Sequence, residues 1–204
     1  MQTTFRLSFC LFFALFLLSG CVEQPANTVA NQAKMDELIA QGAQGMAVAI
    51  AGYIMEDIEA YKNFAAEAAS YKAAHEGRAM PIEAYQHSAY YKKMQSYFAT
   101  IKEHSSAKYI YTMQRIDAEN MEFILDGEAI GTEDHSPPGT GEPNGQWEEL
   151  CFTSKKPVRS DREEYERWGE LISAYAPIFD EDGETVLGIV GVDVEVSPGL
   201  FAMD

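Results

Sequence analysis

The sequence predicts an α+β fold in which N-terminal helices pack on a single antiparallel sheet. Two observations carry this prediction. Apolar residues recur at steps of three and four up to about residue 103, the spacing of amphipathic helices. From residue 108 onward the apolar pattern alternates with a period of two or forms short β-branched runs, which is typical of strands. No internal repeat interrupts this order.

Residues 1–20 have the composition of a signal peptide. Arg6 lies in a short polar head before an apolar run from Leu7 to Leu18, and such a run spans only about 18 Å as a helix, far less than the ~30 Å hydrocarbon core of a bilayer. The following Leu18-Ser19-Gly20-Cys21 resembles the lipobox of bacterial lipoproteins. This resemblance implies that Cys21 carries lipid, including palmitate, and that residues 21–34 form a lipidated tether. An ordinary secretory signal that contains a cysteine by chance is the alternative.

The lipobox places the protein in the bacterial cell envelope, facing the periplasm or the exterior. Valine at position 22, in place of aspartate, favours the outer membrane where the host has one. Residues 35–204 then form a single domain. Because Cys10 leaves with the leader and Cys21 carries lipid, Cys151 is the sole remaining cysteine, and no intramolecular disulfide is expected.

The charge excludes some classes of partner. With 32 acidic and 15 basic residues the net charge is −17, and such a surface repels nucleic acid and anionic lipid headgroups. High solubility is the ordinary consequence, and acidity by itself names no ligand.

Two helices precede the strands in the prediction. The first covers about residues 46–75, where Ile50, Ile54 and Ile58 open an apolar stripe, and this helix is either packed on the sheet or the seam of a homodimer. Gly77 and Pro81 mark a stop and a restart. The second helix covers about residues 81–103.

The rest of the chain is predicted as strands, a long loop and short helices. Strands cover residues 108–116 and 121–126, and residues 127–146 form an irregular loop rich in glycine and proline. Short helices are predicted over 147–153 and 161–168. Two apolar runs, 171–179 and 185–196, flank Asp182-Gly183, a strong signal for a β-hairpin.

The C-terminal hairpin also carries a family resemblance. Residues 168–178 (WGELISAYAPI) and 186–194 (VLGIVGVDV) resemble the closing hairpin of Cache domains, which are extracytoplasmic PAS-like sensors. Residues 109–112, 123–126 and 133–139 (EDHSPPG) agree with earlier strands and a loop of these domains, so the resemblance covers about residues 35–196. It implies a PAS-like (Cache) sheet whose concave face binds a small molecule in signal transduction, without enzymatic activity or cofactor.

Cache domains normally continue into a transmembrane helix and an output domain, whereas this sequence ends at Asp204. The expected partner is therefore a separate chain: a transmembrane receptor, a kinase or a cyclase. An envelope protein–protein interaction module, with a degenerate pocket filled by its own side chains, is the alternative function. The two differ in whether the pocket is open or packed.

Seven residues are candidates for ligand binding: Tyr111, Arg115, Asp126, His135, Trp168, Tyr175 and Asp193. Asp193 matches the Asp that takes the ligand's ammonium in amino-acid-binding relatives. Their Arg-x-Trp-Tyr element is not reproduced at residues 167–169, so an amino-acid ligand does not follow. The alternative role for Asp193 is a structural acceptor for backbone N–H groups.

The other candidates have alternatives of their own. Arg115 could bind a carboxylate bidentately, or pair with Asp117 or Asp126. The tyrosines and Trp168 suit pocket walls or an ordinary core. His135 is either a lid residue or a solvated histidine.

Catalysis has little support in the sequence. The four histidines lack the spacing of metal ligands, and no metal ligand is predicted. Cys151 has no neighbouring histidine. A hydrolase acting through Cys151 or His135 is the least favoured hypothesis.

Overall fold

The computed structural model describes residues 26–196, of which side chains are described from Val29 onward. Cys21, Arg6 and the predicted signal peptide lie outside this range. The elements in chain order are α1 (Ala26–Met55), α2 (Ile58–Ala74), α3 (Ile82–Tyr85), α4 (Ala89–Glu103), β1 (Ala107–Arg115), β2 (Asn120–Asp126), β3 (Gly141–Pro143), α5 (Gln146–Ser154), β4 (Val158–Tyr165), β5 (Gly169–Phe179) and β6 (Val186–Glu195). The six strands form one antiparallel sheet in the order β3-β2-β1-β6-β5-β4. The predicted α+β class, with N-terminal helices on an antiparallel sheet, is confirmed.

The first predicted helix is two helices. The backbone leaves helical geometry at Asp57 (φ −135°, ψ 50°), and the break lets α1 pack on β5 and β6 while α2 packs on α4 and β2. The prediction of one helix over 46–75 is wrong here because a continuous apolar stripe does not report a change of direction. Helix α1 also begins at Ala26, so residues 26–34 of the predicted tether are helical.

By length and composition, Val29–Met55 is the one helix in the described part of the chain that could cross a membrane. A third of its most apolar window is buried. The buried side chains belong to Ala40, Ala43, Ala47, Ile50, Ala51 and Ile54. This face packs against β5 and β6.

The second predicted helix is also divided. The four residues of α3 are followed by a turn, and α4 begins after Ser88, whose hydroxyl accepts a hydrogen bond from the backbone N–H of Tyr91 (3.3 Å). A serine at this position is a favoured N-cap because it satisfies a free backbone donor of the first turn. The break positions Tyr85 of α3 to face the loop after β2.

Residues 161–168, predicted as a helix, belong mainly to strand β4. This strand lies at the edge of the sheet, where charged residues face solvent and discourage pairing with other chains. Arg162 forms ion pairs with Asp36 of α1 (2.6 Å) and with Glu170 of β5 (2.9 Å). The charge-rich sequence thus reflects an edge strand and not a solvated helix.

The remaining strands follow the prediction closely. β1, β2, α5 and the β5–β6 hairpin lie where the sequence places them, and Gly183 has the positive φ (67°) expected in the turn. The loop over 127–146 is irregular apart from β3.

The sheet has two different faces. One face is covered by α1, α2 and α4 and forms the main core, to which Ile110, Ala174 and Val192 belong. The opposite face meets α5 around a smaller apolar cluster. Cys151 lies buried in this cluster as a free thiol.

Candidate functional site

A cavity of about 130 Å³ opens on the α5 side of the sheet. An engineered apolar cavity of ~150 Å³ holds one benzene molecule, so this cavity has room for a ligand of similar size. It is lined by Tyr109, Tyr111, Met113, Phe123, Asp126, Asp134, Ser136, Glu142, Glu148, Tyr165, Trp168, Leu171, Ser173, Tyr175 and Asp193.

The floor of the cavity is built by strand register. Tyr109 pairs with Asp193, which pairs in turn with Ser173, so β1, β6 and β5 contribute one row of three side chains. Side chains alternate between the two faces of a sheet, so residues two positions apart on these strands share a face. The row therefore combines a phenol, a carboxylate and a hydroxyl.

A second row consists of Tyr111, Gly191 and Tyr175. A Cβ atom at position 191 would lie 2.8 Å from the Tyr111 hydroxyl and closer still to the ring. The absence of a side chain at Gly191 therefore lets the Tyr111 ring lie across β6 and turn its hydroxyl toward Asp193.

Asp193 is a buried carboxylate in the floor of the cavity, with 7% of its surface exposed. The Tyr111 hydroxyl donates a long hydrogen bond to its Oδ1 (3.3 Å). Burial raises the pKa of Asp193 to about 7, although hydrogen bonds from Ser173 and Tyr111 oppose this shift. No ion pair to Asp193 occurs within residues 29–196. Its environment favours the neutral acid unless a positive charge enters the cavity.

Four further carboxylates surround the cavity. Glu142 of β3, which is exposed to solvent, and Glu148 of α5 form no ion pair in the described part of the chain. Asp126 accepts hydrogen bonds from the backbone N–H groups of Glu128 (2.6 Å) and Ser136 (2.9 Å), which hold the start of the loop. Asp134 pairs with an arginine at the rim.

Five of the seven candidate residues line this cavity: Tyr111, Asp126, Trp168, Tyr175 and Asp193. Within residues 29–196 no backbone N–H group donates a hydrogen bond to Asp193, whereas Asp126 accepts two such bonds. Trp168 is half-buried and meets Tyr165 edge to face, with ring centroids 6.1 Å apart. Whether these residues bind a ligand stays a prediction.

Arg115 lies outside the cavity. Its guanidinium pairs with Glu149 of α5 and lies 4.5 Å from the centroid of the Phe152 ring. The predicted pairing with Asp117 or Asp126 is wrong, because Asp117 accepts hydrogen bonds within its own turn and α5 brings a closer carboxylate. Arg115 therefore fastens α5 to the sheet.

His135 is neither a lid residue nor a solvated histidine. Its side chain is 1% exposed, and Nε2 shares a hydrogen bond of 2.9 Å with the hydroxyl of Tyr85 on α3. Nδ1 lies 3.8 Å from Asp126 Oδ1 and has no hydrogen-bond partner. His135 thus anchors the loop from below, while its neighbours Asp134 and Ser136 face the cavity.

Several lining residues escaped prediction. Tyr109 shares the face of Tyr111, so the alternation along β1 could have identified it. Tyr165 falls in a segment that the sequence predicts as a helix. Glu148 belongs to α5, and no local sequence pattern indicates where this helix lies on the sheet. Among residues 29–196, no group of three or more His, Cys, Asp or Glu side chains is arranged to hold a metal.

No protein-family model matches the chain, and no curated protein matches it. Among solved structures, it is similar to a type II free methionine-R-sulfoxide reductase from Thermoplasma acidophilum, with 11% identity over 51% of this chain and 73% of that chain (TM-score 0.36). It is similar to residues 122 to 287 of a methyl-accepting chemotaxis protein, with 14% identity over 50% and 70% (TM-score 0.34). It is also similar to the periplasmic domain of RsbU from Chlamydia trachomatis, with 15% identity over 82% and 55% (TM-score 0.36). At these values the likeness concerns the fold alone.

Proposed function

We propose that the protein is a lipid-anchored sensor of the bacterial cell envelope that binds a small molecule in the cavity and signals through a separate receptor, kinase or cyclase. The observation that carries this proposal is the cavity itself, which has a buried carboxylate in its floor. A buried charge without a partner lowers the stability of the folded protein. A ligand of opposite charge would compensate the carboxylate, which gives a reason for its position in the cavity.

The open cavity also favours a sensor over an envelope interaction module. An interaction module with a degenerate pocket would fill the space between α5 and the sheet with its own side chains. Here about 130 Å³ remains open between polar and aromatic walls. This difference supports the ligand-binding function.

Binding rather than catalysis suits the lining. Ser136 and Ser173 supply its only hydroxyls apart from the tyrosines, and the side chains from Tyr109 to Asp193 that line it include no histidine to act as a base. Cys151 lies on the buried side of α5, and burial raises the pKa of its thiol to about 12, opposite to the shift of a reactive cysteine. We therefore assign no reaction to the cavity.

Signalling would follow from the way the walls are divided. The floor belongs to β1, β5 and β6, whereas Glu148 and the residues flanking His135 belong to α5 and the loop over 127–145. A ligand that contacts both layers binds their closed arrangement better than an open one and shifts the population toward it. The partner protein would then detect the bound ligand through a change in the outer surface of α5 and of the loop.

A thermal-shift screen tests this function. The full-length chain in a maltoside detergent is heated with amino acids, organic acids, amines, purines and sugars. A ligand at a hundred times its Kd adds about 2.7 kcal/mol to the free energy of unfolding, which corresponds to a rise of roughly 5–10 °C in a protein of this size.

The screen needs a reporter at the cavity. The protein has two tryptophans, and Trp168 lines the cavity whereas Trp147 donates a hydrogen bond to Glu163 (3.2 Å). In a Trp147→Phe background, saturable quenching of Trp168 by a stabilising compound places the ligand in the cavity. If no compound of the panel changes either the melting temperature or the Trp168 fluorescence, the result favours the interaction module.

A further inference from the structure

The side chains that line the cavity are mainly aromatic or acidic. Six of its residues are aromatic: Tyr109, Tyr111, Phe123, Tyr165, Trp168 and Tyr175. Five are carboxylates: Asp126, Asp134, Glu142, Glu148 and Asp193. None of the described residues that line it is a lysine, an arginine or a histidine.

The aromatic rings are arranged around the cavity and not stacked in one plane. Tyr111 meets Phe123 edge to face (5.4 Å, 61°), and Tyr165 meets Trp168 in the same way (6.1 Å, 60°). In an edge-to-face pair the two rings face different directions. The electron-rich faces of aromatic rings attract cations, and cages of such rings recognise ammonium groups.

Three of the five lining carboxylates have no cation paired with them in the described part of the chain. Two cations lie near the rim, but each has its own carboxylate: Lys108 pairs with Glu195 (2.6 Å) and Arg167 with Asp134 (3.3 Å). Asp193, Glu142 and Glu148 form no ion pair within residues 29–196. Arg167 also lies over the Trp168 ring (5.4 Å) and Lys108 over the Tyr109 ring (5.4 Å). The part of the lining without a counter-charge from the described residues therefore consists of Asp193, Glu142 and Glu148.

We infer that the ligand is a small organic cation, an amine or alkylammonium compound without a carboxylate, held by Asp193 and the surrounding aromatic rings. This inference rests on the proposed function, because it specifies the ligand of the same cavity. An anion would face Asp193, Glu142 and Glu148, three carboxylates that no cation of the described residues offsets. An amino acid would bring a carboxylate for which the lining offers no arginine or lysine.

The pKa shifts agree with this assignment. Burial raises the pKa of Asp193, and burial also raises those of the Tyr111 and Tyr175 phenols well above the ordinary value. The phenols consequently stay neutral and their rings remain available to a cation. A bound cation would favour the ionised form of Asp193 and lower its pKa again.

The test compares probes of one shape and different charge. Choline, its neutral carbon isostere 3,3-dimethylbutan-1-ol, and the anion 3,3-dimethylbutanoate are titrated by calorimetry into the full-length chain. The detergent is a maltoside, so that no headgroup carries an ammonium. Trp168 fluorescence in the Trp147→Phe background is recorded in parallel.

We expect choline to bind and both the isostere and the anion to bind at least roughly tenfold more weakly. Asp193→Asn, which keeps the shape and removes the charge, should weaken choline binding by roughly thirtyfold or more. Glu67→Gln is the matched control, since Glu67 is exposed on α2 beyond the opposite face of the sheet. It changes the net charge equally and should leave the affinity unchanged.

The outcomes separate this inference from the function on which it rests. If the isostere or the anion binds as tightly as choline, the cavity is a ligand site but the assignment to cations is wrong. If Asp193→Asn and Glu67→Gln weaken choline binding equally, the affinity depends only on the net charge of the protein. The assigned site is then wrong. If neither these probes nor the wider panel change the melting temperature or Trp168 fluorescence, both the inference and the sensor function fail.

Discussion

Replacing Asp193 with asparagine should stabilise the protein while removing its proposed function. The carboxyl has an ordinary pKa of 3.8 and a pKa of about 7 in the folded protein. The folded state therefore binds a proton more tightly than the unfolded state. The stability that accompanies the protonated form is fully present below about pH 4 and is lost as the pH rises toward 7.

The size of the effect follows from the shift. A difference of about three pKa units corresponds to roughly 4 kcal/mol at about pH 8 as an upper bound. Asparagine is neutral at every pH and avoids this cost. Even half of that value would raise the melting temperature by roughly 4–8 °C in a protein of this size.

The assay is thermal unfolding of the full-length chain and of Asp193→Asn at about pH 4.5 and about pH 8. We expect nearly equal melting temperatures at the lower pH and a more stable variant at the higher pH. Glu67→Gln controls for the net charge and should show little difference at either pH. If Asp193→Asn is no more stable than the parent at the higher pH, Asp193 is a structural acceptor and not an uncompensated charge.

Three further predictions follow from the structure, and a fourth follows from the predicted lipobox. Binding of choline should strengthen as the pH rises through about 7, because the cation requires ionised Asp193. The groups that face this carboxylate are Tyr111, Tyr109, Ser173, Tyr175, Tyr165 and Glu148. An affinity independent of pH between about 5.5 and about 8.5 would contradict this prediction. Gly191→Ala should reduce binding, because its methyl group displaces the Tyr111 ring, and calorimetry would show unchanged affinity if the ring is not part of the site. His135→Ala should lower the free energy of unfolding by roughly 2–3 kcal/mol in urea denaturation, whereas a change below about 0.5 kcal/mol would mean that His135 does not anchor the loop. Cys21→Ser should abolish labelling by radioactive palmitate and release the chain from membranes, and a variant that remains labelled would disprove acylation at this position.

Several elements could be predicted from the sequence because their signals are local. The β5–β6 hairpin combines two β-branched runs with Asp182-Gly183, and a glycine there accepts the positive φ that the turn requires. The alternation along β1 separates Tyr111 from Ile110, and the two residues do lie on opposite faces. Local preference and tertiary packing agree at these positions.

The errors arise where tertiary packing overrides the local pattern. A run of charged residues predicts a helix over 161–168. Most of this segment instead forms strand β4 at the edge of the sheet, where Arg162 forms ion pairs with residues of α1 and β5. The break at Asp57 falls within an uninterrupted apolar stripe. In both cases the deciding partner lies far away along the chain.

The sequence by itself determined that helices precede an antiparallel sheet, the acidic charge, the candidate leader of residues 1–20, and which residues of β1 share a face. The tertiary structure alone decided that Tyr111 and Asp193, separated by 82 positions, meet over Gly191. It also decided that Glu148 completes the wall while Arg115 and His135 point away from it. Alternation within a strand follows from backbone geometry, whereas the register between strands and the position of α5 depend on contacts between distant segments. A cavity assembled from six strands, one helix and two loops therefore requires the folded chain.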